Sequence, residues 1–159
     1  MRKAMLLLAF FGLAGSLWAA HPFVGTWKLN VAKSKPAPGQ QASVGDLSVV
    51  CKEIGADLET VFKGTGADGK PFEYRFTVPQ QGGVLGSAQA PAQSPAEASF
   101  VVITVIDPSD MYGTSIQKGK QVEVTHTFVS KDGKTMTRTS KGTDAQGKPT
   151  ESLQVFEKQ

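Results

Sequence analysis

The residues in this 159-residue chain whose types could do chemistry are few, and most are explained by turns. Gly64-Thr65-Gly66-Ala67-Asp68-Gly69 satisfies the G-x-G-x-x-G pattern of dinucleotide sites, and Gly64 to Lys70 satisfies most of a phosphate-binding loop. The phosphate loop needs Ser or Thr after the Lys, where Pro71 stands. The dinucleotide pattern needs a helix to follow, whereas Phe72 to Thr77 alternates like a strand. The same words recur at Lys141 to Glu151, which aligns without gaps to Lys63 to Glu73. Two similar hairpin loops, each with Gly at positive φ and Pro ending the turn, account for both copies.

His21 and His126 are the only histidines, and no Cys/His cluster has the spacing of a metal site. No G-x-S-x-G motif occurs, and no Ser-His-Asp set stands out. Asp107 and Asp110 flank Pro108 and Ser109, which is turn chemistry, not an acid–base pair. Lys131, Lys134 and Lys141 suit a solvated rim. Cys51 is the lone cysteine, so an intramolecular disulfide is impossible. Its setting, Leu47-Ser48-Val49-Val50-Cys51, suits a small buried apolar group more than a reactive thiol. These residues predict no catalytic set, no cofactor and no metal: the chain is not expected to be an enzyme.

The elements that would position any site are short strands. Val24 to Val31 places Trp27 and Leu29 on one face and Thr26, Lys28 and Asn30 on the other. Ala32 to Gln41, with two prolines and a glycine, is a surface connection. Leu47 to Ile54 and Leu58 to Lys63 follow. In Phe72 to Thr77 the faces separate cleanly, with Phe72, Tyr74 and Phe76 on one side and Glu73, Arg75 and Thr77 on the other. Pro79 to Ala98 is rich in Gln, Gly, Ala, Ser and Pro; it predicts a long loop near a barrel mouth, with room for a short edge strand at Val84. Phe100 to Ile106 is apolar almost throughout and needs cover against aggregation. Met111 to Gln117, Gln121 to Ser130, Lys134 to Thr143 and Thr150 to Glu157 complete about nine strands, with hairpin turns at Lys118-Gly119-Lys120 and Lys131-Asp132-Gly133.

Residues 1–19 have the order of a secretory signal: Arg2 and Lys3, then apolar Met5 to Leu13, then small residues at Ala19 or Ala20. The alternative is a retained anchor, but the apolar run is short for a bilayer span. No later stretch is long and apolar enough for a membrane helix. Cleavage after Ala19 would leave 159 less 19, or 140 residues: one domain. The 17 basic residues less Arg2 and Lys3, against 14 acidic ones, leave a net charge of +1. Such a near-neutral chain argues against nucleic acid as partner. The expected location is outside the cytoplasm, periplasmic or extracellular.

Phe23-Val24-Gly25-Thr26-Trp27-Lys28-Leu29 resembles the opening of the intracellular fatty-acid-binding proteins, which are calycins together with the lipocalins. Leu153 to Lys158 is similar to that family's last strand. The order of elements also resembles secreted bacterial lipocalin-like proteins of unassigned function, over most of the chain after residue 19. The resemblance implies an all-β, single antiparallel up-and-down barrel over residues 20–159, with Gly25 turning the chain in and Trp27 plugging the closed end. It departs from the fatty-acid-binding proteins at Lys33 to Gln41, where prolines replace a helical lid. It departs again at Gln154 and Phe156, which hold the positions of the Arg-x-Tyr pair that grips a carboxylate in that family.

The function expected is a non-catalytic binder of a small apolar ligand inside the barrel. A structural or interaction module with a filled core is the alternative, and a hydrolase a distant third. Alternation in Gln121 to Ser130 groups Val122, Val124, His126 and Phe128 on one face, expected inward. Tyr74 and Phe76 face inward in the same reading, and Gln154 and Phe156 do so by the resemblance. Either His126 is a core histidine satisfied by such a neighbour, or His126, Tyr74 and Gln154 orient the polar end of the ligand among Phe76, Phe128 and Phe156.

Overall fold

The computed structural model describes residues 20–37, 46–66, 68–86, 99–144 and 146–159. The expected signal segment lies outside them, as do residues 87–98 of the expected loop. The strands are β1 Gly25–Leu29, β2 Ser48–Ile54, β3 Asp57–Thr65, β4 Pro71–Pro79, β5 Gly83–Gly86, β6 Ser99–Asp107, β7 Asp110–Gln117, β8 Lys120–Val129, β9 Thr135–Thr143 and β10 Pro149–Lys158. All pairings are antiparallel, in the order β4-β3-β2-β1-β10-β9-β8-β7-β6-β5. Sequential neighbours pair everywhere except between β4 and β5, and β1 closes on β10. The result is a nearly closed up-and-down barrel whose free edges are β4 and β5. The tenth strand is the short one at Val84, paired to β6 only.

β1 stops at Leu29, two residues short of the expected end. The Asn30 side chain accepts a hydrogen bond from the Lys33 amide and caps a 3-10 turn, Val31–Lys33. The chain then returns to the sheet where Lys35 bridges Leu153. Gly25 has φ 138, and a Cβ there would stand 2.7 Å from Cε of Lys158. The Lys158 side chain could swing aside, but the φ of 138 is one that residues with a Cβ rarely adopt, so glycine suits this entry.

Register carries the side-chain directions, because opposed residues in an antiparallel pair share a face. Trp27 opposes Val49, and Leu29 opposes Phe156. Phe156 opposes Met136, which opposes Val129. These residues, with Phe23, Leu47, Cys51, Leu58 and Val78, form the core that closes one end. Trp27 and Phe156 are 0% exposed, and the Trp27 indole N–H donates to the Phe23 carbonyl at 2.8 Å. The plug therefore satisfies its one polar atom internally. The Lys158 ammonium covers the ring face, 5.0 Å from its centroid.

The two copies of the repeated motif form the β3–β4 and β9–β10 turns. Gly66 N–H donates to Lys70 O at 2.7 Å, and its counterpart Asp144 N–H donates to Lys148 O at 2.9 Å. Gly69 and Gly147 sit at φ 76 and 78. Both loops hang at the end away from Trp27, as do the β7–β8 turn, the end of β5 and the start of β6.

Candidate functional site

The inward face of β3 and β4 is an aromatic wall. Phe62 opposes Tyr74, with ring centroids 5.6 Å apart, and Phe76 and Phe72 extend the stack at 5.7 Å from Phe62 and 5.1 Å from Tyr74. The alternation of Phe72 to Thr77 dictates this: the polar set Glu73, Arg75 and Thr77 must then face out. There Arg75 bridges Glu59 and Glu73 at 2.8 and 3.3 Å, and Lys63 bridges Glu73 at 3.1 Å. The Lys63 and Arg75 hydrogen bonds hold the Glu73 carboxyl below its ordinary range. Phe62 is buried, but Phe72, Tyr74 and Phe76 remain partly exposed although they face the barrel interior.

The wall opposite is polar. From the buried row Phe156–Met136–Val129, alternation carries Gln154, Arg138 and Thr127 inward in one row, then Ser152, Ser140 and Thr125 in the next. All six are partly exposed. Arg138 on β9 reaches across to the aromatic wall, with its guanidinium carbon 5.9 Å from the Phe62 ring centroid. Between β3 and β9 stand β2, β1 and β10 in the sheet, so this contact spans the lumen. The lumen thus has an aromatic side, a hydroxyl-lined side and one guanidinium between them. Arg138 was not legible in the sequence as a site residue. It lies in Thr135-Met136-Thr137-Arg138-Thr139, where no clear apolar alternation shows which face turns in; its register against Gln154 supplies that.

Four of the six expected site residues face the lumen. Tyr74 and Phe76 lie in the aromatic wall, and Gln154 faces it beside Arg138. Phe156 is sealed in the closed end and forms its floor. His126 and Phe128 do not face the lumen; the expected phase of β8 is reversed. Val129 opposes Met136 in the core, so Thr127, Thr125 and Glu123 point in, and Phe128, His126 and Val124 point out. Adjacent Phe128 and Val129 are both apolar and leave the phase ambiguous in the sequence. Packing against Met136 and Phe156 decides it.

On the outer face, His126 opposes Tyr112, and Phe128 opposes Asp110. The imidazole lies flat on Tyr112, centroids 4.3 Å apart at 4°, and its Nε2 is 2.7 Å from Asp110 Oδ1. Phe128 tilts against it at 5.3 Å. His126 is therefore satisfied by a neighbour, but by Asp110 on the outer surface and not by Gln154 or Tyr74 within. Asp110 thereby does more than form a turn. Cys51 is buried; burial pushes its thiol up, and its Sγ lies 3.8 Å from Thr60 Oγ1.

An open recess of about 390 Å³ lies at the β3–β4 end of the lumen mouth, lined by Asp46, Lys63, Gly64, Thr65, Pro71, Phe72 and Glu73. Asp46 accepts from Thr65 Oγ1 at 2.6 Å and from its amide at 3.0 Å, which ties the start of β2 to the mouth. No group of three or more potential metal ligands occurs among the described residues. Among them, too, no helix is long and apolar enough to cross a membrane. No protein-family model matches the chain, and neither does any curated protein sequence.

Proposed function

We propose that the protein is a calycin-like carrier that binds a small, mostly apolar molecule in the barrel lumen without transforming it. The observation that carries this reading is the partial exposure of Phe72, Tyr74 and Phe76 on the inward face. In a filled barrel such rings would be covered by side chains from the opposite wall. Here that wall offers short hydroxyl side chains, Gln154 and Arg138, which leave part of the rings' apolar surface uncovered. An apolar body with one polar end fits such a lining.

Native purification followed by mass spectrometry of extracted small molecules tests the reading. An apolar molecule released on denaturation is expected, and Tyr74→Ala should lower its yield. Because His126 stands outside, His126→Ala should leave binding unchanged. Absence of any copurified molecule, together with no binding of either the neutral probe N-phenyl-1-naphthylamine or its sulfonate analogue 1-anilinonaphthalene-8-sulfonate, would overturn it. We further propose that the carrier acts outside the cytoplasm, supported by the order of residues 1–19. Intact-mass measurement on exported material should show those residues removed; a mass that retains them sinks that part.

A second reading, an interaction module, draws on the outer face of β5 to β8. Val84 is 64% exposed, and Phe100, Tyr112 and Phe128 elsewhere on that face are 36% exposed each. Sedimentation at rising concentration would support it by showing self-association that Phe128→Ser abolishes.

A further inference from the structure

Arg138 faces the lumen from β9. It is partly exposed, faces the aromatic wall and touches the Phe62 ring. Among the described residues it has no hydrogen-bond or ion-pair partner. The charged groups that share its face are remote. Glu123 stands four residues beyond Thr127, the β8 residue opposite Arg138, or about 13 Å along the strand. Lys158 is held over Trp27 at the closed end. Water in an open lumen can solvate the guanidinium. A wholly apolar ligand pressed against Phe62 would strip that water and leave the cation unpaired, which is costly. A ligand that brings its own anion removes this penalty and gains charge-assisted, forked hydrogen bonds.

We propose, on the premise that the lumen is a ligand site, that its ligand is an amphipathic anion. The acidic group pairs with Arg138, and the apolar body lies along Phe62, Tyr74 and Phe76. Gln154 and Thr127, opposed to Arg138 on either side, offer donors to the remaining acceptor oxygens. Arg138 then acts as a selector as well as an anchor: it favours anions and disfavours neutral molecules of the same shape. The shared chemistry is a compact oxyanion on an apolar body, whether carboxylate or phosphate.

Two probes with the same ring system separate the charge from the shape: 1-anilinonaphthalene-8-sulfonate and neutral N-phenyl-1-naphthylamine. In fluorescence titrations the sulfonate should bind the full protein at least about tenfold tighter, the least that a charge-assisted bond is worth. Arg138→Leu should abolish or reverse that order, and Arg138→Lys should keep it in weaker form. The Gln154 side-chain amide signal should shift on binding, which places the probe in the lumen and not on the outer aromatic face. Competition by decanoate, decyl phosphate and decanol then ranks carboxylate against phosphate, with the alcohol weakest. Equal affinity for both probes in the unmodified protein overturns the anion inference while the lumen reading stands. If neither probe binds, both fall. Should Arg138→Leu fail to fold, the probe comparison on the unmodified protein still decides.

Discussion

Trp27 is the residue on which the closed end depends. Its indole is fully buried, its N–H is satisfied by Phe23, and its far face is covered by Lys158. Trp27→Ala should cost about 3–5 kcal/mol, the range for deleting a large core aromatic. A denaturant melt that shifts by less than about 1 kcal/mol would mean the cavity collapses or the ring is not the plug. The position was legible beforehand through the resemblance of Phe23 to Leu29 to the calycin opening, which implies a tryptophan plug. Cys51 was legible from its apolar setting, Leu47 to Val50. Burial raises its thiol pKa, with a smaller opposing influence from Thr60, so the reactive thiolate is suppressed in the folded state. Iodoacetamide should label it only as fast as the barrel unfolds, and fast labelling of the native protein would contradict the burial.

At the scale of elements, the repeated hairpins test how local sequence sets a turn. Gly69 and Gly147 share a positive φ, and a Cβ on either meets no atom within 4 Å. Alanine at either position therefore costs backbone conformation alone, about 1 kcal/mol, and the two losses should match. The acidic residues in the loops should not match. The Asp144 carboxylate accepts from both the Gln146 and Lys148 amides, at 2.9 and 2.8 Å. Asp68 accepts from the Lys70 amide at 3.1 Å. Asp144→Ala should thus destabilise more than Asp68→Ala in parallel thermal melts; equal losses would show that the side chains do not hold these turns. β6 is a different case. Its continuous apolar run predicted a need for cover against aggregation, yet Phe100 and Ile106 are exposed on the outside while Ile103 packs against the core. What protects its backbone is position: β5 and β7 pair with its two edges.

The whole molecule should lose stability on acidification, and the sign follows from several groups at once. Burial lowers the His21 pKa, with Glu53 opposing, so the folded state favours neutral imidazole. That contribution is present above the unfolded histidine pKa, near 6.5, and is lost as pH falls below it. The carboxyls of Asp46, Asp107 and Asp132 are lowered chiefly by hydroxyl hydrogen bonds from Thr65, Ser109 and Ser130, and that of Glu157 by Lys33 and Asn30. Their contributions hold above the unfolded carboxyl pKa, near 4, and vanish as pH falls through the lower folded values. Melting temperature should therefore decline from pH 7 to pH 3. A protein more stable at pH 4 than at pH 7 would contradict both sets of shifts.

The tryptophan plug came from the resemblance of the first strand, while local chemistry was enough to establish the strand count to within one, the hairpin turns and the inward aromatic face of β4. Each depends on neighbours in the chain: a two-residue alternation, a glycine where φ must be positive, a proline where a ladder must stop. The phase of β8 and the place of Arg138 depend instead on which residue of one strand opposes which of the next. In β8 both alternating sets can pass as a wall of the barrel, one apolar and one built from threonines. Only the contact of Val129 with Met136 and Phe156 selects between them. That choice turned His126 out onto Tyr112 and Asp110, and the register of Arg138 with Thr127 and Gln154 turned the guanidinium into the lumen. A one-residue slip exchanges the two faces of a strand, so the lining of the lumen was decided only when the strands closed around a common core.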